Sequence, residues 1–126
     1  MRARLHLVAV AALVVASCAS SSSPGALAHQ AVKEGVRAAA KGYWQEALFR
    51  FQQAGEDAGD DPEIINNVAV AEEALGRWEA ALASYKHALQ LAGGNATIKR
   101  NYARFAEFYT SYARGAKINK DDDAKP

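Results

Sequence analysis

The chain has 126 residues, 15 of them basic and 14 acidic, with a single cysteine and three prolines. This length allows one small domain, and one cysteine excludes an intrachain disulfide. Nucleic-acid binders concentrate basic residues on one surface, and a formal net charge of +1 offers no case for such a partner. Abundant alanine and few β-branched residues beyond the N-terminus favour packed helices over strands.

Residues 1–17 have the pattern of a secretory signal peptide. Arg2 and Arg4 precede an uninterrupted apolar run from Leu7 to Ala16. Such a run is shorter than the roughly 20 residues of a membrane-spanning helix. Removing residues 1–17 changes the balance from 15 basic residues against 14 acidic to 13 against 14, so the mature charge is expected to be near −1.

The apolar run ends in Val15-Ala16-Ser17-Cys18, which resembles the lipobox of bacterial lipoproteins. The resemblance implies lipidation of Cys18 through a thioether, with cleavage just before it. Two or three acyl chains attach a protein lastingly, at about 0.8 kcal/mol per buried methylene. The next residue is Ala19 rather than an aspartate, which favours the periplasmic face of the outer membrane if the host has two membranes. Residues 18–27 are expected to form a flexible tether.

Residues 28–95 contain a repeat with a period of 34 residues. The segment GYWQEAL at 42–48 aligns with GRWEAAL at 76–82. The same offset pairs Gly35 with Ala69, Phe51 with Tyr85 and Ala54 with Ala88. This pattern resembles the tetratricopeptide repeat, a helix-turn-helix unit. The resemblance covers over half of the chain and implies an all-α fold, a short solenoid with repeats at 28–61 and 62–95.

Individual residues in the repeat also predict local structure. Gly35 is small enough for the first helix of its pair to approach the second closely. Gly42 and Gly76 stand where that helix must reverse, which suits a positive φ. Asp61-Pro62 supplies an N-cap and a proline for the first helical position. Asn95 is expected to cap the helix that follows it.

Residues 96–117 depart from the repeat and are expected to form a C-terminal capping helix, which covers the apolar side of the last pair. Residues 118–126 are expected to be a disordered charged tail. The capping helix carries five of the eleven aromatic residues in the chain. Phe108 and Tyr112 lie off its Ile98 stripe, so they either complete the edge of the core or form a second interface. That interface would join a partner or a second copy in a homo-oligomer.

The sequence offers little for catalysis or metal binding. His29 and His87 have no patterned acid or nucleophile nearby, and Glu72-Glu73 is interpreted as a solvated face. Asp121–Asp123 lacks the spaced ligands, glycine and terminal glutamate of a calcium loop. We therefore expect no catalytic residue, no metal and no cofactor.

In tetratricopeptide-repeat proteins the first helix of each pair lines a concave groove that takes a peptide or a partner helix. The resemblance assigns that groove to Val32, Val36, Asn66, Asn67, Val70, Glu73, Arg100, Asn101 and Arg104, with His29, Ala39 and Glu63 on the same faces. Such a groove would be apolar at one end and polar to basic at the other, which suits hydrophobic anchors. Some members grip a C-terminal carboxylate, but Val32 and Val36 replace the first lysine and asparagine of that clamp. Alternatively, Asn66 and Asn67 hydrogen-bond to neighbouring backbone.

These features together predict a membrane-anchored adaptor of the bacterial cell envelope that binds another envelope protein or peptide. One alternative is a structural subunit of an envelope, secretion or pilus assembly that stacks through the capping helix. Another is a secreted soluble protein, because Ala26-Leu27-Ala28 offers a competing site for ordinary signal peptidase, with cleavage after Ala28.

Overall fold

The structure is a computed structural model that describes residues 23–123, with side chains described for residues 23–117. This part of the chain consists of five helices and no strand, so the predicted all-α class is confirmed. The predicted signal peptide, Cys18 and most of the predicted tether lie outside the described residues. The helices are α1 (Pro24–Ala40), α2 (Trp44–Ala58), α3 (Pro62–Ala74), α4 (Trp78–Leu91) and α5 (Ala96–Asp123).

The turns that join α1 to α2 and α3 to α4 share one backbone conformation, 34 residues apart. Gly42 and Gly76 have φ values of 78° and 71°, as the sequence predicts. In the first turn the Tyr43 N–H donates to the Ala38 carbonyl, and in the second the Arg77 N–H donates to the Glu72 carbonyl, both at 2.9 Å. This Schellman arrangement needs a left-handed residue, which glycine supplies without a steric cost. The sequence period is therefore also a period of the backbone.

Two predicted helix caps are confirmed. The Asp61 side chain accepts hydrogen bonds from the backbone N–H groups two and three residues later, at 2.8 and 3.3 Å, and Pro62 begins α3. The Asn95 side chain does the same for α5, at 3.0 and 3.1 Å. Each cap satisfies N–H groups that have no partner inside the helix.

Two predicted boundaries are wrong. Helix α1 begins at Pro24 rather than at residue 28, because Ser23 accepts a hydrogen bond from the Ala26 N–H at 3.3 Å and proline suits the first helical position. Helix α5 continues to Asp123 rather than ending near 117. Thr110 stands one period after Gly76, and a β-branched residue resists the positive φ of the two earlier turns, so α5 passes this position without turning.

The core of the described chain is built from small residues and a few large rings. Each helix packs against the next, and α5 also packs against α3. Gly35 lies against the ring of Phe51, so closely that a Cβ at position 35 would be 2.5 Å from Cε1 of that ring. The fully buried alanines are Ala47, Ala54, Ala69, Ala71, Ala81 and Ala88. These residues let the helices approach closely enough to bring α1, α3 and α5 to one face.

Candidate functional site

Two adjoining depressions lie on the face that α1, α3 and α5 share. The first, between α1 and α3, has a volume of about 330 Å³, and the second, between α3 and the start of α5, about 240 Å³. Glu63 and Asn67 line both, so the two depressions form one groove. Its lining residues are Gly25, Ala28, His29, Val32, Ala58, Asp61, Glu63, Ile64, Asn66, Asn67, Asn95, Thr97 and Ile98. We call this set the groove below.

The groove brings together only part of the predicted binding set. Val32, Asn66 and Asn67 line it. Val36 lies one turn farther along α1 and is 52% exposed, but it lines neither depression. Val70 is half-buried and packs against the cluster around Tyr85. The groove therefore lies at the N-terminal ends of α1 and α3, and the predicted residues nearer the helix C-termini fall outside it.

Glu73 and Arg104 are engaged within the protein. The Tyr85 hydroxyl donates to Oε2 of Glu73 at 2.7 Å, and Nη2 of Arg104 lies 3.2 Å from the same oxygen. This contact joins α3 to both α4 and α5. Burial raises the pKa of the Tyr85 hydroxyl, and the Glu73 carboxylate raises it further. The hydroxyl is therefore a fixed donor to Glu73.

The neighbouring Glu72 also faces inward. It is 9% exposed and accepts a hydrogen bond from the Ser84 hydroxyl at 2.7 Å. The interpretation of Glu72-Glu73 as a solvated face is therefore wrong, since both carboxylates tie α3 to α4. One period earlier these two positions are alanines, Ala38 and Ala39, so comparison within the repeat could have indicated a special role.

The predicted polar residues of α5 make contacts of their own. Nδ2 of Asn101 donates to Oδ1 of Asn66 at 3.1 Å, so Asn66 of α3 binds a side chain of α5. Arg100 is exposed and reaches back to the Thr97 hydroxyl at 3.4 Å. None of Arg100, Asn101 and Arg104 lines either depression. In the described structure these residues position α5 against α3 or flank the groove.

The charge of the groove differs from the expected apolar-to-basic gradient. Its lining contains the carboxylates of Asp61 and Glu63 and no lysine or arginine. The floor is apolar, since Ala28 and Ile64 belong to one buried cluster and Val32 packs against it. The predicted basic end is therefore wrong for this lining. A groove of this composition can hold an apolar side chain, hydrogen-bond to amides and attract a cation.

Phe108 and Tyr112 lie around Trp78 at the start of α4. The centroid of the Trp78 ring is 4.8 Å from that of Phe108 and 6.1 Å from that of Tyr112. Both α5 rings nevertheless stay a little over two-fifths exposed. We call these three residues the aromatic edge. Its rings complete the border of the core and leave an apolar surface for the second predicted interface.

Among the described residues, no group of three His, Cys, Asp or Glu side chains could hold a metal ion. No helix between residues 23 and 123 is long and apolar enough to cross a membrane. The groove and the aromatic edge each contain residues predicted to bind a partner, and the functional proposals rest on these two surfaces. Neither a protein-family model nor a curated protein sequence matches the chain.

Proposed function

We propose that the chain is a lipid-anchored adaptor of the bacterial cell envelope that holds a peptide or a partner helix in the groove. The observation that carries the proposal is the continuity of the two depressions through Glu63 and Asn67. Three helices from successive units of the chain border this groove. Tetratricopeptide repeats present their partners with such a surface, and the 34-residue period of sequence and turn geometry supports that assignment here.

The composition of the groove favours a peptide. An apolar floor beside Val32 and Ile64 accepts a hydrophobic side chain, and the carboxamide of Asn67 can pair with backbone groups. A peptide supplies both kinds of group in alternation along its length. We assign no catalytic residue and no cofactor to the groove.

The proposed anchor would keep the groove near a membrane. Cys18 precedes the α1 cap, Ser23, by five residues, which reach at most about 18 Å when fully extended. The first depression includes Gly25 and Ala28, at the same end of α1. Lipidation at Cys18 would therefore confine the groove to a thin layer above the bilayer, which raises its effective concentration toward a partner on the same membrane.

Helix α1 also bears on where the chain is cut. Cleavage after Ala28 would remove the Ser23 cap, Pro24 and Ala28 itself, which is 4% exposed and packs in the core. Cleavage before Cys18 leaves this first part of α1 in place. The stability of the helix pair therefore favours the lipoprotein over the secreted form.

The second candidate function is a structural subunit that stacks through the aromatic edge, and the exposure of Phe108 and Tyr112 favours it. Stacking at the opposite end has less support. Ile64 and Val68 of α3 pack against the preceding helices. The equivalent positions of α1, one period earlier, hold the polar residues Gln30 and Glu34.

Gln30 and Glu34 form part of a polar network at the open end of the α1–α2 pair. Arg50 pairs with Glu34 at 3.0 Å and with Glu46 at 2.7 Å, and Gln30 donates to Glu34 at 2.8 Å. Polar outer faces of this kind close the ends of helical repeat arrays.

Crosslinking followed by affinity recovery from membranes distinguishes the two functions. Asn67→Arg fills the groove where its depressions meet, whereas Val36→Arg places the same side chain on α1 outside the groove. The adaptor predicts that only Asn67→Arg loses the partner. A structural subunit predicts that Phe108→Glu with Tyr112→Glu loses it and that Asn67→Arg retains it.

The anchor needs a separate measurement. Intact mass of the wild-type chain should show an N-terminus at residue 18 carrying acyl chains. Cys18→Ala should release the chain from the membrane, and unchanged membrane association would argue against lipidation.

A further inference from the structure

We propose that the groove selects an extended peptide segment that carries a lysine or arginine beside an aliphatic side chain. This proposal rests on the adaptor function and names the chemical class of its partner. The starting observation is the charge of the lining, in which Asp61 and Glu63 are the only side chains of fixed charge.

Glu63 is the main cation-binding group in this account. It is exposed on the first turn of α3 and lines both depressions. Within the described residues its carboxylate forms no ion pair. Asp61 stands beside it and uses one oxygen, Oδ1, for the helix cap. The two carboxylates together attract a basic side chain at the junction of the depressions.

Arg100 and Arg104, the basic residues that the sequence assigned to the groove, form no ion pair with these carboxylates. Arg104 pairs with Glu73 at 3.2 Å, and Arg100 contacts Thr97. An acidic peptide would meet two like charges in the lining with no lysine or arginine of the groove to offset them, which disfavours it. The groove therefore has the opposite charge preference to a carboxylate clamp.

The aliphatic part of the partner is argued from the first depression. Ala28 and Ile64 form its buried floor, and Val32 is half-buried at its side. Burying an aliphatic side chain there removes apolar surface from water on both partners. In the second depression Asn67 offers a carboxamide donor and acceptor to the backbone of an extended chain. Oδ1 of Asn66 is already bound by Asn101, and Oδ1 of Asn95 caps α5.

Selection from a library of short random peptides with blocked ends tests the proposal on the purified full chain. The same selection on Asn67→Arg identifies the peptides that depend on the groove. We expect those peptides to be enriched in lysine or arginine next to leucine, isoleucine or valine. Enrichment in aspartate or glutamate, or no preference in charge, would overturn the basic-partner proposal and leave the adaptor function standing. If no peptide depends on Asn67, the adaptor function itself fails.

A matched pair of substitutions then measures the contribution of Glu63. Glu63→Gln should weaken a selected basic peptide about two- to fivefold, the effect of one exposed ion pair. Glu79 is the second residue of α4, as Glu63 is of α3, and it lines neither depression. Glu79→Gln should therefore leave the affinity unchanged. Added salt should weaken the wild type more than Glu63→Gln, and equal salt dependence would contradict a role for this carboxylate.

Discussion

The ring of Phe51 occupies the space into which any side chain at Gly35 would project, with Cε1 2.5 Å from the position of a Cβ. Gly35→Ala must therefore displace the ring or separate α1 from α2. We expect the free energy of unfolding to fall by about 1–3 kcal/mol, the usual cost of overpacking a core. Urea unfolding followed by far-ultraviolet circular dichroism measures the change.

Gly25 provides the control on the same helix, because a Cβ there meets nothing within 4 Å. Gly25→Ala should raise stability slightly, by up to about 1 kcal/mol, since alanine loses less conformational freedom than glycine in a helix. If Gly35→Ala were as stabilising as Gly25→Ala, the close approach of α1 and α2 would be refuted.

The Asp61 cap gives a second stability prediction. Asp61→Ala removes the acceptor for two backbone N–H groups at the start of α3 and should cost about 0.5–2 kcal/mol. Asp60→Ala removes a neighbouring exposed carboxylate and should change stability by less than about 0.5 kcal/mol. Equal losses in the two variants would show that charge, and not the cap, stabilises this helix.

Much of this local architecture could be predicted from the sequence, because turns and caps depend on residues close together in the chain. Gly42, Gly76, Asp61 and Asn95 have the predicted conformations or bonds. The length of α5 could not be predicted this way. Thr110 stands where a turn glycine would be, which indicates only that α5 passes position 110, and the repeat does not mark where the helix ends.

The Tyr85–Glu73 hydrogen bond predicts a difference in stability near neutral pH. Tyr85→Phe removes a buried donor to a carboxylate, while Glu73 keeps its ion pair with Arg104. We expect a loss of about 1–2 kcal/mol in urea unfolding. Tyr109→Phe, whose hydroxyl makes no hydrogen bond among the described residues, should cost much less.

The same residue predicts a loss of stability at alkaline pH. In the unfolded chain Tyr85 releases its proton near the ordinary pKa of 10.0, whereas its pKa in the folded chain is raised. Above pH 10 the folded state therefore holds the proton that the unfolded state has lost, and the free energy of unfolding falls as pH rises. The difference in free energy of unfolding between the wild type and Tyr85→Phe should therefore shrink as the pH rises above 10. A constant difference from neutral to alkaline pH would contradict the raised pKa.

The aromatic edge predicts a change in the environment of Trp78. Phe108→Ala removes a ring 4.8 Å from the indole and should lower stability by about 1–2 kcal/mol. Tryptophan fluorescence should shift to the red as Trp78 becomes more exposed. Phe49→Ala is the control, because Phe49 is more than half exposed and contacts no other aromatic ring among the described residues, only the Arg50 guanidinium, 5.6 Å from its ring centroid. An equal shift in both variants would contradict the packing of Phe108 against Trp78.

The binding face was harder to predict than the fold. Val32 and Asn67 follow from their positions in the repeat, but the engagement of Glu73 and Arg104 depends on Tyr85, which lies on another helix. The acidic character of the groove also depends on contacts between residues of different helices. It appears only once tertiary contacts show that Arg104 is paired and that Glu63 lies between the two depressions.

Site-specific photocrosslinking in intact cells tests most directly whether the groove holds a partner. A photoreactive residue at position 67 lies where the depressions meet, and one at position 79 lies outside both. The adaptor account predicts a discrete crosslinked partner from position 67 and none from position 79, with the product lost when Val32→Arg blocks the groove. The same product from both positions, or none from position 67, would contradict it.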